Sequence, residues 1–177
     1  MRGFNFEKNL SHQSHAVDST IAVFDNISLI QPAAADKNYI NPAFDFITDR
    51  TYPENIRAIQ EDNGIHEKIK RNSNIIDIMM ETGTGKTYTY TKSIFELNKN
   101  FGIFKFIVVV PTLSIKAGTI DFLKSDSSRE HFKEQYGKTL HLHIVESQKN
   151  SKSKKSFIPP AVTSFVNAGN FEKNSIQ

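Results

Sequence analysis

Residues 75 to 87 read Ile-Ile-Asp-Ile-Met-Met-Glu-Thr-Gly-Thr-Gly-Lys-Thr. The first six are a short β-rich run. Gly83 and Gly85 follow at once, and a helical pattern then places Tyr90, Ile94 and Leu97 on one face. Strand, glycine-rich turn and helix, in that order, are the setting of a phosphate-binding loop. Glycines let the backbone curl so that successive N–H groups point inward at phosphate oxygens. A helix that starts near Lys86 adds its positive end. Lys86 supplies a mobile cation for the β- and γ-phosphates, and the Thr87 hydroxyl is a ligand for Mg²⁺. Thr82, Gly83, Thr84, Gly85, Lys86 and Thr87 are therefore the expected nucleotide-binding set. Met80 stands where the commoner pattern has Gly. The competing reading is a glycine-rich turn followed by a chance Lys-Thr.

Outward from the loop, strands and helices alternate. Lys105 to Val110 is the clearest strand, ended by Pro111. Its unbroken apolar run predicts burial on both faces, as in a parallel sheet. Helices are expected from Leu113 to Leu123 and from 127 to 136, and residues 140 to 145 alternate like a strand with one buried face. Before the loop, Ser11 is placed to cap a helix to Asn26, with Val17, Ile21, Phe24 and Ile27 on one face. Residues 28 to 51 read as a connection without period. Pro53 suits a first helical position, with Glu54 in the first turn. That helix breaks near Asn63-Gly64 and resumes to about Lys70. Residues 147 to 156 are a basic polar loop. The expected fold is α/β, a mostly parallel sheet flanked by helices.

Composition narrows the class. The 177 residues make one ordinary domain or a piece of a larger one. Only 38% are hydrophobic, but fourteen Phe supply material for a core. Cysteine is absent, which excludes disulfides and Cys-based zinc or redox sites and fits a cytoplasmic protein. The net charge of +3 is weak evidence for nucleic acid. The densest apolar run, Phe106 to Val110, is far short of the roughly 20 residues of a membrane span. No apolar segment follows Arg2, so neither a secretory signal nor a membrane partner is expected.

Glu81 to Thr87 is similar to motif I of superfamily 2 helicases and translocases. Phe106-Ile-Val-Val-Val-Pro-Thr-Leu-Ser114 resembles their motif Ia. In that family the residues after this strand contact the phosphate backbone of nucleic acid. Thr112 and Ser114 would do so with hydroxyls and Lys116 with charge. The alternative is a strand-to-helix turn capped by Ser or Thr. A narrower match comes from Phe4-Asn-Phe-Glu-Lys-Asn-Leu-Ser-His-Gln13. This stretch, and Thr87 to Asn98, look like the restriction (Res) subunit of type III restriction-modification enzymes.

That resemblance implies an ATP-dependent translocase and endonuclease subunit acting on double-stranded DNA with a sequence-reading methyltransferase (Mod) partner. It implies ATP and Mg²⁺ as cofactors, Lys86 and Thr87 in the catalytic machinery, and a partial RecA-like P-loop NTPase lobe. Residues 1–72 would be an N-terminal helical segment and 73–177 the first part of the lobe. Gln13 takes the place of an adenine-reading Gln, whose amide donates to N7 and accepts from N6; the alternative is a solvent-facing Gln. The superfamily's acidic motif, an Asp-Glu pair that orders Mg²⁺ and polarises water, finds no Asp-Glu dipeptide here. Glu146 lacks the preceding Asp, and Asp77 lies inside the expected strand. The second RecA-like lobe and the nuclease domain also find no counterpart. The chain is thus expected to be the N-terminal part of a Res subunit, ending within its first lobe. Another superfamily 2 helicase without a nuclease, or a truncated product that only binds nucleotide, are the other readings. Two smaller features are His141 and His143 on one strand face, and the Lys cluster at 149, 152, 154 and 155. A bland surface and a solvated loop are their default readings.

Overall fold

The computed structural model describes residues 6–7, 10–46, 50–68 and 74–144, and the backbone of 162–168. The chain divides into two compact units, Glu7–Ile103 and a second made of Phe104–Gln177 with Met1–Phe6. Helices and strands mix in an α/β chain.

The Glu7–Ile103 unit holds helix α1 (Ser11–Ala22), strands β1 (Leu29–Ile30) and β2 (Ala43–Phe44), and helices α2 (Thr51–Asp62) and α3 (Lys86–Phe101). α1 begins without a side-chain cap. Leu10 is the capping residue and Ser11 is already helical, so Ser11 does not take the capping position expected of it. The carbonyl of Leu10 accepts from the N–H groups of both Gln13 and Ser14. The helix also stops four residues short of Asn26. From Val23 the chain tightens into turns, with Phe24 N–H on Ile21 O and Asp25 N–H on Ala22 O, and Asn26 sits at φ 60. One left-handed residue of that kind keeps the turns from resuming a right-handed helix. Carbonyls freed at this end need partners, and the Asn55 amide of α2 donates to Val23 O at 3.0 Å and Asp25 O at 2.8 Å.

The region from 28 to 51, expected to be irregular, carries the β1–β2 pair, antiparallel with Leu29 opposite Phe44. Strands of two residues are too short to show a period. Val23, Ile27 and Tyr52 form the centre of a core onto which Phe24, Phe44, Phe46, Ile56, Ile59 and Ile76 pack. Phe24 stacks on Phe44 at 4.5 Å, and Phe101 meets Phe44 edge-on at 5.1 Å. Offset and edge-to-face rings of this kind add to the burial itself.

The expected strand at 75–80 is not formed. No strand among the described residues pairs with it, and Ile75, Ile78 and Met79 are 67%, 47% and 96% exposed. A β-rich segment becomes a strand only through a neighbour's hydrogen bonds, and here Ile76 alone enters the core. α2 ends at Asp62, and residues 65–68 are not helical, so the expected resumption fails there; its remainder, 69–70, lies outside the described residues. α3 starts where the sequence places it. Seven of its buried residues lie between Tyr88 and Phe95, several of them Thr or Ser. Thr89, Thr91 and Ser93 each donate to the carbonyl four residues back, which satisfies their hydroxyls inside the helix.

The second unit contains β3 (Lys105–Val109), α4 (Leu113–Lys124), α5 (Asp126–Tyr136), β4 (Leu140–Ile144) and β5 (Val162–Ala168). The sheet order is β3-β5-β4 and both pairings are antiparallel. The expectation of a mostly parallel sheet is corrected for these strands. β3 and β4 do run in one direction, as a strand–helix–helix–strand crossover requires, but β5 lies between them and opposes both. β3 is not buried on both faces either, since Ile107 and Val109 are 57% and 59% exposed. Ser125 caps α5 by accepting from Ser128 N–H at 3.3 Å, and Gly137 at φ 67 ends it. Phe122, Leu123 and Phe132 are the buried apolar centre, and the Phe6 ring meets Phe122 edge-on at 5.6 Å. Among the described residues no helix is long and apolar enough to cross a membrane.

Candidate functional site

The glycine-rich loop belongs to the Glu7–Ile103 unit. Gly83 and Gly85 lie at φ 84 and φ 87, left-handed values that favour glycine. Gly85 is also the residue before α3. A Cβ there would collide with the amide nitrogen of Gln13. The loop closes on the carbonyl of Glu81, which accepts from Thr84 Oγ1 at 2.7 Å and from Lys86 Nζ at 2.6 Å. Lys86 is exposed, and α3 carries no acidic residue in its first turn. A curled backbone, a helix N-terminus and a cation therefore meet with no carboxylate in the helix's first turn to offset them. Such a place suits an anion with several oxygens. An anion would compete with the Glu81 carbonyl for the Lys86 ammonium.

α1 reaches this loop from the other side. Gln13 is buried, 7% exposed, and donates from Nε2 to Thr84 O at 3.0 Å. The solvent-facing alternative for Gln13 is thereby removed. His12, which the sequence reading passed over, has Nε2 at 3.1 Å from the same oxygen. Its signal was there, since it adjoins Gln13. Thr82 is exposed and Thr87 half-buried, beside the loop's turn and at the start of α3. Burial raises the pKa of Tyr88, next in α3, so its phenol keeps its proton and is no general base at neutral pH.

The second candidate region, at the start of α4, belongs to the other unit. Thr112 is the N-cap, and its Oγ1 accepts from Ile115 N–H at 3.3 Å. Ser114 Oγ lies 3.1 Å from Thr112 Oγ1, and Lys116 N–H donates to Thr112 O at 2.9 Å. The capping alternative is thus realised for Thr112, which leaves its hydroxyl tied to the helix. Thr112 and Ser114 are exposed, as are Leu113 and Ile115 beside them, while Lys116 is half-buried. On β4, His141 and His143 both face solvent. No group of three or more His, Asp or Glu able to hold a metal occurs among the described residues. The Lys cluster at 149–155 and Glu146 lie outside those residues.

The family model described as "Type III restriction enzyme, res subunit" matches residues 8–170. The chain is 51% identical over 188 residues to the EcoPI Res subunit of Escherichia phage P1, which covers 99% of this chain and 18% of that protein. It is 51% identical over 180 residues to the EcoP15I Res subunit of Escherichia coli, again 99% and 18%. Against the StyLTI Res subunit of Salmonella typhimurium the identity is 35% over 174 residues, 96% of this chain and 15% of that protein. The chain thus spans under a fifth of the length of these relatives. On a match that reaches from the residues before α1 through the glycine-rich loop and beyond β4, the chain belongs to the Res subunit family of type III restriction enzymes.

Proposed function

We propose that the loop at 82–87 binds ATP with Mg²⁺, and that the protein serves a type III restriction system as the ATPase part of a Res subunit. The observation that carries this is the loop itself. Two left-handed glycines, an exposed Lys86 and the acid-free start of α3 converge at one point. The Gly83, Thr84 and Gly85 backbone would cradle the phosphates, Lys86 would neutralise the terminal ones, and the Thr87 hydroxyl would face Mg²⁺. The metal would add Lewis-acid charge neutralisation at the phosphate oxygens. Gln13 would read adenine while it holds the Thr84 carbonyl, since its amide has two N–H groups and an acceptor oxygen.

Residues 73–177 are on this reading the first part of a RecA-like lobe, and 1–72 the segment that brings Gln13 to it. The start of α4, with Ser114 and Lys116 and the capping Thr112, would lie against a DNA phosphate backbone. The remaining activities of the relatives' class, movement on double-stranded DNA, cleavage, and work with a Mod subunit in the cytoplasm, would then belong to the whole assembly. The experiment is calorimetric titration of MgATP into the protein and its Lys86→Ala variant. Binding by the first, and loss of at least tenfold in the second, is the expected outcome, from a charge-assisted bond worth roughly 1.5–3 kcal/mol. Equal affinity in both would remove the assignment.

A further inference from the structure

Two neighbouring side chains at the start of α1 end on one carbonyl. Thr84 O accepts from Gln13 Nε2 at 3.0 Å, and His12 Nε2 lies 3.1 Å from it. A carbonyl oxygen cannot donate, so the His12 contact requires the proton on Nε2. The oxygen has two lone pairs and takes both donors. Thr84 and Gly85 share one peptide plane, and the bond between them is not cis. In a trans plane the C=O and the following N–H point opposite ways. Holding the Thr84 oxygen on α1 therefore aims the Gly85 N–H away from α1.

Gly85 is where such a restraint matters. At φ 87 and without a Cβ, its plane has more freedom to turn than that of any other residue type. Other contacts hold α1 in place. Val17 is fully buried, and His15 Nε2 lies 2.6 Å from Asn63 Oδ1 at the end of α2. His12 itself is exposed and contributes nothing to the core. The contact it makes serves the loop.

We propose that His12 is a positioning residue of the phosphate loop: with Gln13 it clamps the Thr84–Gly85 peptide so that the Gly85 N–H stays aimed for a nucleotide phosphate. This rests on the loop as a triphosphate site. It adds a residue that acts on phosphate through the backbone and touches neither base nor phosphate.

The test uses the whole 177-residue chain. MgATP, MgADP and adenosine are titrated into wild type, His12→Phe and His12→Gln. His12→Phe removes the donor and keeps a ring of similar size. It should weaken ATP and ADP roughly three- to tenfold, the span of one ordinary hydrogen bond. Adenosine, which lacks phosphate, should bind as before. His12→Gln places an N–H where Nε2 was and should restore most of the affinity. Unchanged ATP affinity in His12→Phe, an equal loss for adenosine, or no rescue by Gln would each overturn the clamp. A second reading needs no nucleotide: a ¹⁵N histidine spectrum with the ring neutral should show the His12 proton on Nε2. A proton on Nδ1 would overturn the proposal while leaving the triphosphate reading intact. Failure of wild type to bind ATP would remove that reading, and the clamp's purpose with it.

Discussion

Gly85 has two separate reasons to be glycine, its φ of 87 and the Gln13 amide packed where a Cβ would stand. The first was legible from the Gly-Thr-Gly-Lys-Thr run. The second was not, because 72 positions separate the two residues in sequence and only folding brings them together. The same contact shapes a prediction for Gln13. Gln13→Ala should weaken ATP more than GTP, by about 1–3 kcal/mol if a bidentate adenine contact is lost. Comparing the affinities for the two nucleotides checks it, and an equal fall for both would leave Gln13 with a role on the loop alone. Tyr52 is a different case. Its hydroxyl is buried without a hydrogen-bond partner among the described residues, and burial raises its pKa above the ordinary phenol value. Tyr52→Phe should therefore stabilise the protein by about 1 kcal/mol in a denaturant titration. The sign of the pH effect follows from the raised pKa. The ionised form is disfavoured in the folded state, so the stability tied to the neutral phenol is complete below the unfolded value of about 10 and fades as pH rises above it. In Tyr52→Phe that alkaline loss should shrink.

Elements with strong local signals formed as read. α3 opens at Lys86, β3 runs from Lys105 to the residues before Pro111, and α4, α5 and β4 lie within a residue or two of their expected bounds. Each is fixed by its own sequence: a glycine stop, a proline stop, a Thr or Ser cap, an apolar period. What failed depended on other segments. The run at 75–80 has β-forming residues but no partner strand among the described residues, and the direction of the sheet depended on β5, which lies beyond the basic stretch after β4. The end of α1 belongs to the same class. The carbonyls of Val23 and Asp25, in the turns that follow it, are satisfied by Asn55, a polar residue with no visible signal in a helix read from Pro53 and Glu54. Asn55→Ala should thus cost about 1–2 kcal/mol by stranding two carbonyls. The unfolding midpoint measures it. Asn55→Asp, which cannot donate from its side chain when ionised, should lose as much; an Asp variant as stable as wild type would mean that water serves those carbonyls equally well.

For the molecule as a whole, binding and hydrolysis should come apart. On the proposed reading the loop holds a triphosphate with its backbone amides, the start of α3 and the exposed Lys86. Hydrolysis needs more. A carboxylate must order the metal and another must polarise the attacking water, and the sequence has no Asp-Glu pair. Glu81, at the start of the loop, offers its backbone carbonyl to Thr84 and Lys86. No group of three or more His, Asp or Glu able to hold a metal occurs among the described residues. The 177-residue chain should therefore bind MgATP yet release no phosphate above background. A continuous phosphate-release assay decides this, with Lys86→Ala as the control for a contaminating ATPase. Turnover shared by both proteins would be contamination. Turnover in wild type that vanishes in Lys86→Ala would defeat the prediction, since a site that loses its rate with its phosphate-binding lysine is a working site. Glu146, which follows β4 in the sequence, would then be the first carboxylate to replace by Gln.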